Sequence, residues 1–181
     1  MKDIDGIHQV LEVIKPHMGG IEKHFSDTNE TFNNLMQQSH DDIGRVLKCH
    51  LIVEHFLTKF VSDFYKINNI EGLQLRFSQK TELIPKSGIS ASFVRPGIIQ
   101  LNKIRNRLGH DLSTRVESHY ISAIYQVLAV CRKGVQFASP IEAIEAFTPI
   151  ASAFLSLPPP ELQQVFIEAF KKVVTHDPEE I

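Results

Sequence analysis

The chain has few cysteines, Cys49 and Cys131, and no tryptophan in its 181 residues. Two thiols without a Cys-x-x-Cys pair or a His/Cys cluster indicate neither a disulfide framework nor a zinc site. No apolar run approaches the roughly eighteen residues of a membrane-spanning helix. The start, Met1-Lys2-Asp3-Ile4-Asp5, carries acids and no continuous apolar core, unlike a secretory signal. The cytoplasm is therefore the expected compartment, with no membrane partner. No charge of one sign dominates: the net charge of -2 argues against a protein that coats nucleic acid generally. Convincing period-two alternation is also missing, so no sheet is expected. The 43% apolar and 22% charged content is that of an ordinary globular chain. No metal ligand set and no cofactor motif stands out.

What is present is helical spacing. Ile7, Val10, Leu11 and Ile14 predict a short helix over residues 4–15, ended by Pro16 and Gly19-Gly20. A second helix is expected around Thr31–Gln38. His8, His17, His24 and His40 lack acids at ligand spacing and read as surface residues. Asp41 or Asp42 suits the cap of a long helix running to about Tyr65. Its inward face collects Ile43, Val46, Leu47, Leu57, Val61 and Phe64, with His50 and Glu54 in the middle. A short helix is expected between Leu73 and Leu83, closed by Pro85-Lys86-Ser87-Gly88. Pro96 fits the first turn of the next helix, where Ile98, Leu101, Arg105 and Leu108 share one stripe. Thr114-x-x-Glu117 and Ser139-x-x-Glu142 are capping boxes that predict two further starts. Lys133-Gly134 ends the first of these helices, and Pro149 is expected to kink or split the second. After Pro158-Pro159-Pro160, Leu162, Val165, Phe166, Ala169, Phe170 and Val173 form a last amphipathic pattern. The expectation is an all-α antiparallel helical bundle with extra N- and C-terminal helices. Its parts are flanking helices over 1–40, a core over 41–135 and a helical pair over 136–181, packed on the core or on a partner.

The chemistry gathers in Ile104-Arg105-Asn106-Arg107-Leu108-Gly109-His110-Asp111. Arg105 offers a planar fork of donors suited to phosphate oxygens. His110 titrates near neutrality and suits proton transfer. Together they hold what metal-free phosphodiester cleavage needs: a cation for the charge that builds on phosphorus and a proton shuttle. On an unbroken helix the two lie roughly 140° apart. If Gly109 ends the helix near Leu108, His110 swings back beside Arg105. The same residues also satisfy a structural role, a helix C terminus with bases favouring the dipole and a glycine cap. From Arg95 to Arg115 five bases (Arg95, Lys103, Arg105, Arg107, Arg115) stand against Asp111 alone, a local balance of +4. Such a basic site suits a phosphate-containing ligand. Glu54 and Arg105, each displaced onto an inward stripe, are natural partners. A functional pair and a buried structural ion pair are both open.

Arg105-Asn106-x-x-x-His110 after an apolar helix resembles the signature of HEPN domains. The wider stretch Ile104–Asp111 is most similar to the branch that includes the mannitol operon repressor. His50-Leu51-Ile52-Val53-Glu54 resembles that branch's earlier helix, and Phe77-x-x-Lys80-x-x-Leu83 its middle segment. The similarity covers roughly Asp41 to Lys133. It implies an all-α homodimer with two copies of the motif facing one cleft. It further implies a metal-independent endoribonuclease that cuts RNA through the ribose 2′-hydroxyl and leaves a cyclic phosphate. In that reading His110 moves the proton and Arg105 holds the phosphate. Asn106 positions backbone or substrate, Glu54 supports Arg105, and Arg107 and Lys103 bind the RNA backbone. Related enzymes act as toxins or in phage defence, so an antitoxin or regulatory protein is a further expected partner. The alternative is a non-catalytic regulator resembling the mannitol operon repressor, acting by binding a partner or ligand. Its direct DNA binding lacks support, because no helix carries the base-reading pattern of a helix-turn-helix. No aromatic residue interleaves with the basic patch to stack bases, which departs from a strong ribonuclease profile.

Overall fold

The computed structural model describes residues 7–28, 41–111 and 114–178. Their regular elements are all helices, with no strand among them beyond one isolated antiparallel bridge, Ser87 with Val174. The chain divides into two compact units, Met1–Ser39 and His40–Ile181.

The first unit contains α1 (Ile7–Ile14), a 3-10 turn (Lys15–His17) holding Pro16, and α2 (Met18–Thr28). Proline is tolerated at such a turn because its missing N–H falls where donors are unpaired anyway. Gly19 and Gly20 lie inside α2 and do not end a helix as their composition suggests. The helix expected at Thr31–Gln38 lies outside the described residues, as does His40.

The second unit is a bundle. Its helices are α3 (Asp41–Tyr65), α4 (Phe77–Glu82), α5 (Ser90–His110), α6 (Ser122–Cys131), α7 (Pro140–Leu155) and α8 (Gln163–Phe170). α3 packs on α5 and α7, α6 closes against α5 and α7, α4 bridges α3 and α5, and α8 leans on α5. Leu57, Ile98, Leu101, Ile124, Leu128, Ile144, Phe147 and Leu155 fill the centre and are fully buried. Removing this apolar surface from water is the main force holding the bundle together. α7 thus belongs to the bundle itself, with Ile141, Ile144 and Phe147 in the common core.

The buried side of α3 is Val46, Cys49, His50, Val53, Leu57, Phe60 and Val61. Leu47 and Phe64, expected inside, are exposed. The inward stripe is therefore rotated from the one the apolar residues suggest, because Cys49, Val53 and Phe60 take the contacts. α5 begins at Ser90, one and a half turns before Pro96, so the proline stands inside it. Pro96 forgoes a single backbone bond, to the Ser92 carbonyl four residues back. Gly97 follows because the helix passes close to α7: a Cβ there would lie 2.6 Å from Phe147 Cζ.

Thr114 and Glu117 do not start a helix. Thr114 Oγ1 donates instead to Asp111 Oδ2 at 3.1 Å, and residues 114–117 are irregular. A 3-10 turn, Ser118–Ile121, leads into α6. The residue before α6 is Ile121, which has no side-chain oxygen for capping. Gln100 of α5 supplies it: Oε1 accepts from Ala123 N (2.8 Å) and Ile124 N (3.3 Å), and Nε2 donates to Ser122 Oγ at 3.0 Å. Two donors that a helix start leaves unpaired are satisfied from the neighbouring helix. Ser139, by contrast, caps α7 as expected, accepting from Glu142 N at 3.2 Å. α7 continues through Pro149 without a split. Its buried hydroxyls pair locally: Thr148 Oγ1 donates to Ile144 O and Ser152 Oγ to Thr148 O, both at 2.9 Å.

No described helix is long and apolar enough to cross a membrane.

Candidate functional site

α5 stays helical through Leu108 and Gly109 to His110, and Asp111 N donates to Arg107 O at 2.9 Å. Gly109 is not the helix-ending glycine the spacing suggests, and His110 does not swing back beside Arg105. The continuous helix joins the two in another way. Residues 105 and 109 form one i,i+4 pair and 106 and 110 the next, so the four outline one patch of helix surface. At its centre Gly109 contributes no side chain, and a Cβ there would meet nothing within 4 Å. The patch forms one side of a cavity of about 210 Å³. Ile43, Val46 and Leu47 of α3 form the other side, with Leu108 at the base. Arg105, Asn106 and His110 are exposed at its rim. Arg105 Nη1 donates to Asn106 Oδ1 at 3.1 Å, which leaves the rest of the guanidinium fork facing solvent.

The other residues of the sequence reading lie elsewhere. Glu54 does not orient Arg105. Its Oε1 accepts from Lys80 Nζ at 3.0 Å, and Lys80 also donates to Thr58 Oγ1 at 2.9 Å. Lys80 is 12% exposed and Glu54 31%, so the pair is half shielded, and the base comes from α4, not from α3's own Lys59. One turn earlier the His50 ring stacks on Phe77, centroids 4.2 Å apart. His50/Glu54 on α3 thus faces Phe77/Lys80 on α4, rung by rung. Arg107 points to another side, its guanidinium carbon 4.3 Å from the centre of the Tyr120 ring. Lys103 lines a separate cavity and reaches Pro178 O at 3.5 Å. Arg95 is buried against Asp177. The five bases between Arg95 and Arg115 are therefore not one surface patch.

His50 is buried, with Nε2 3.2 Å from Asn102 Oδ1. An amide oxygen needs a donor, so Nε2 carries the proton and Nδ1 is the neutral acceptor, without a partner among the described residues. Burial pushes the pKa of His50 down, while the Asn102 hydrogen bond and the charge of Glu54 oppose the shift. The ring is held neutral as a structural rung. Sequence patterning missed the roles of Asn102 and Gln100, whose hydrogen-bond partners lie more than twenty residues away.

Among the described residues no group of three or more His, Cys, Asp and Glu side chains is placed to hold a metal ion. Cys49 and Cys131 are both free thiols. No family model, curated protein or solved structure matches the chain.

Proposed function

We propose that the chain is a metal-independent endoribonuclease of the HEPN type, with Arg105 and His110 acting at the α3/α5 cavity. The observation that carries this reading is their shared rim: a guanidinium, an amide and an imidazole border one opening, with a glycine between them. A phosphate seated over Gly109 has Arg105 on one side and His110 on the other. Arg105 stabilises the negative charge that builds on the pentacoordinate phosphorus. His110 transfers the proton, from the ribose 2′-hydroxyl or to the departing 5′-oxygen. Attack by the 2′-oxygen forms the cyclic phosphate and breaks the bond to the 5′-oxygen, so no external water enters this step. Asn106 holds Arg105 through its amide oxygen and presents its amide N–H to the substrate.

The resemblance to HEPN domains further supports a homodimer. Leu47 on the cavity wall and Leu51 one turn later are exposed, and they form an apolar edge that a second copy would cover. Arg107 and Lys103 have no place at the catalytic opening, and Glu54 acts at a distance by fixing α4 to α3. A role as a toxin or phage-defence effector, in the cytoplasm and with a silencing partner, follows from the same resemblance.

Incubation of purified protein with RNA tests the assignment. Wild type is expected to cut, while Arg105→Ala and His110→Ala each lose about 100-fold or more. Arg107→Ala is expected to cut at close to the wild-type rate. Equal cutting by all four proteins would overturn the assignment. No cutting by any would shift the site toward ligand or partner binding, as in a regulator.

A further inference from the structure

A second cavity, of about 370 Å³, lies on the side of α5 that faces α4 and the C-terminal segment. Its α5 residues, Arg95, Ile99, Asn102 and Lys103, are centred about five residues along the helix from Arg105, or about 8 Å. Its wall includes Thr81, Glu82, Arg95, Asn102, Lys103 and Asp177. The dominant feature is Arg95, only 2% exposed. A guanidinium withdrawn from water loses several kcal/mol of hydration and must recover it from partners. Arg95 recovers it in part. Nη1 donates to Asp177 Oδ1, but Nε has no hydrogen-bond partner among the described residues.

Asp177 approaches from the rim and is divided between two cations. It is 48% exposed and shares its second oxygen with Lys86 Nζ at 2.9 Å. It sits on an extended segment after α8, pinned by the Ser87–Val174 bridge and by Thr175 N donating to Lys86 O at 2.8 Å. One carboxylate is therefore shared between two cations, while the buried fork keeps a donor unused. Asn102 adds a further donor: its Oδ1 is engaged by His50, which turns its amide nitrogen away from that ring. Arg95 and Lys103 are the cations of the wall, and Glu82 and Asp177 are its acids, so the wall is balanced while Asp177 is in place.

We propose that this cavity is a binding site for the phosphate group of a small ligand, which takes the place of Asp177 on Arg95. A tetrahedral oxyanion has enough acceptors for Nη1, Nε, the Lys103 ammonium and the Asn102 amide at once, whereas a carboxylate from the rim reaches one edge of the fork. The remaining volume accommodates a small organic group beyond the phosphate. Displacing Asp177 releases it to Lys86 alone, so the C-terminal segment is the part that yields. The site is independent of the Arg105/His110 opening.

Calorimetric titration of the full chain with inorganic phosphate, with acetate as the control anion, tests the proposal. Asp177→Asn removes the competing carboxylate at a half-exposed position and keeps its shape. It is expected to tighten phosphate binding on the order of tenfold, since a site freed from an internal competitor regains its intrinsic affinity. Arg95→Met is expected to abolish binding, and acetate is expected to bind more weakly than phosphate to each protein. In an arginine-labelled sample, phosphate should shift the Arg95 Nε–H resonance. Failure of Asp177→Asn to tighten binding, or undiminished binding by folded Arg95→Met, would overturn the proposal. So would no phosphate binding by wild type and Asp177→Asn at 20 mM. If Arg95→Met does not fold, the Asp177→Asn titration and the Nε–H shift decide alone.

Discussion

At Gly109 the absent side chain leaves the helix surface bare between Arg105 and His110. The residue is helical and its Cβ position is empty, so Gly109→Ala gains helix propensity and meets no obstacle. We expect this substitution to stabilise the unit by about 0.5–1 kcal/mol in a urea melt. A glycine in the left-handed conformation of a helix cap would instead be destabilised by alanine, so a loss of stability would show that α5 ends earlier. Gly97 is the opposite case, since an added methyl would strike the buried Phe147 ring. Gly97→Ala should cost about 1–3 kcal/mol despite its better helix propensity. His50 contributes a pH dependence. Its folded pKa lies below the ordinary 6.5, so below neutrality the unfolded chain takes up the proton more readily than the folded one. The stability due to the neutral ring is complete above the unfolded pKa and is lost as pH falls through and below it. Melting temperature should fall for wild type between pH 7.5 and 5.5, and less for His50→Gln. Equal slopes would show that other groups dominate.

Among the elements, α6 depends most on a neighbour. Its N terminus is capped across helices by Gln100, so Gln100→Leu leaves two backbone N–H groups buried without a partner. The expected cost is about 2 kcal/mol or more, read as a lower urea midpoint with unchanged slope. A neutral result would mean that the turn before α6 rearranges to cap itself. This cap also marks what was legible in the chain. Helices whose signals are local could be read directly: the long apolar repeat of α3, Ser139 before α7, and the glycine turn after α6, where Gly134 takes φ +82°. The Thr114 box misled because its hydroxyl bonds back to Asp111. Pro96 misled because α5 tolerates one missing backbone bond, and Glu54 because its base arrives on α4, twenty-six residues later. The first two turn on local bonding that a motif does not specify, and the third on a partner distant in sequence, which periodicity does not register.

For the whole molecule, an all-α bundle followed from spacing alone, since α3, α5, α6 and α7 each carry a stripe that needs the others. The composition of the site was legible too, in the closeness of Arg105, Asn106 and His110. Its geometry was not, because an unbroken α5 seats them around a glycine where spacing suggested a swing past a helix end. The homodimer belongs to this scale. In sedimentation, wild type is expected at the mass of two chains, and Leu51→Lys, which charges the exposed edge of α3, at the mass of one. A wild-type monomer that still cleaves RNA would show that one opening suffices.

The central claim is that Arg105 and His110 cut RNA at this opening without a metal ion. The most direct measurement is the chemistry of the 3′ ends released from RNA by wild type in EDTA, beside His110→Ala. The account predicts 2′,3′-cyclic phosphate ends from wild type and almost none from the variant. Ends bearing a free 3′-hydroxyl, or cyclic phosphate released equally by His110→Ala, would contradict it.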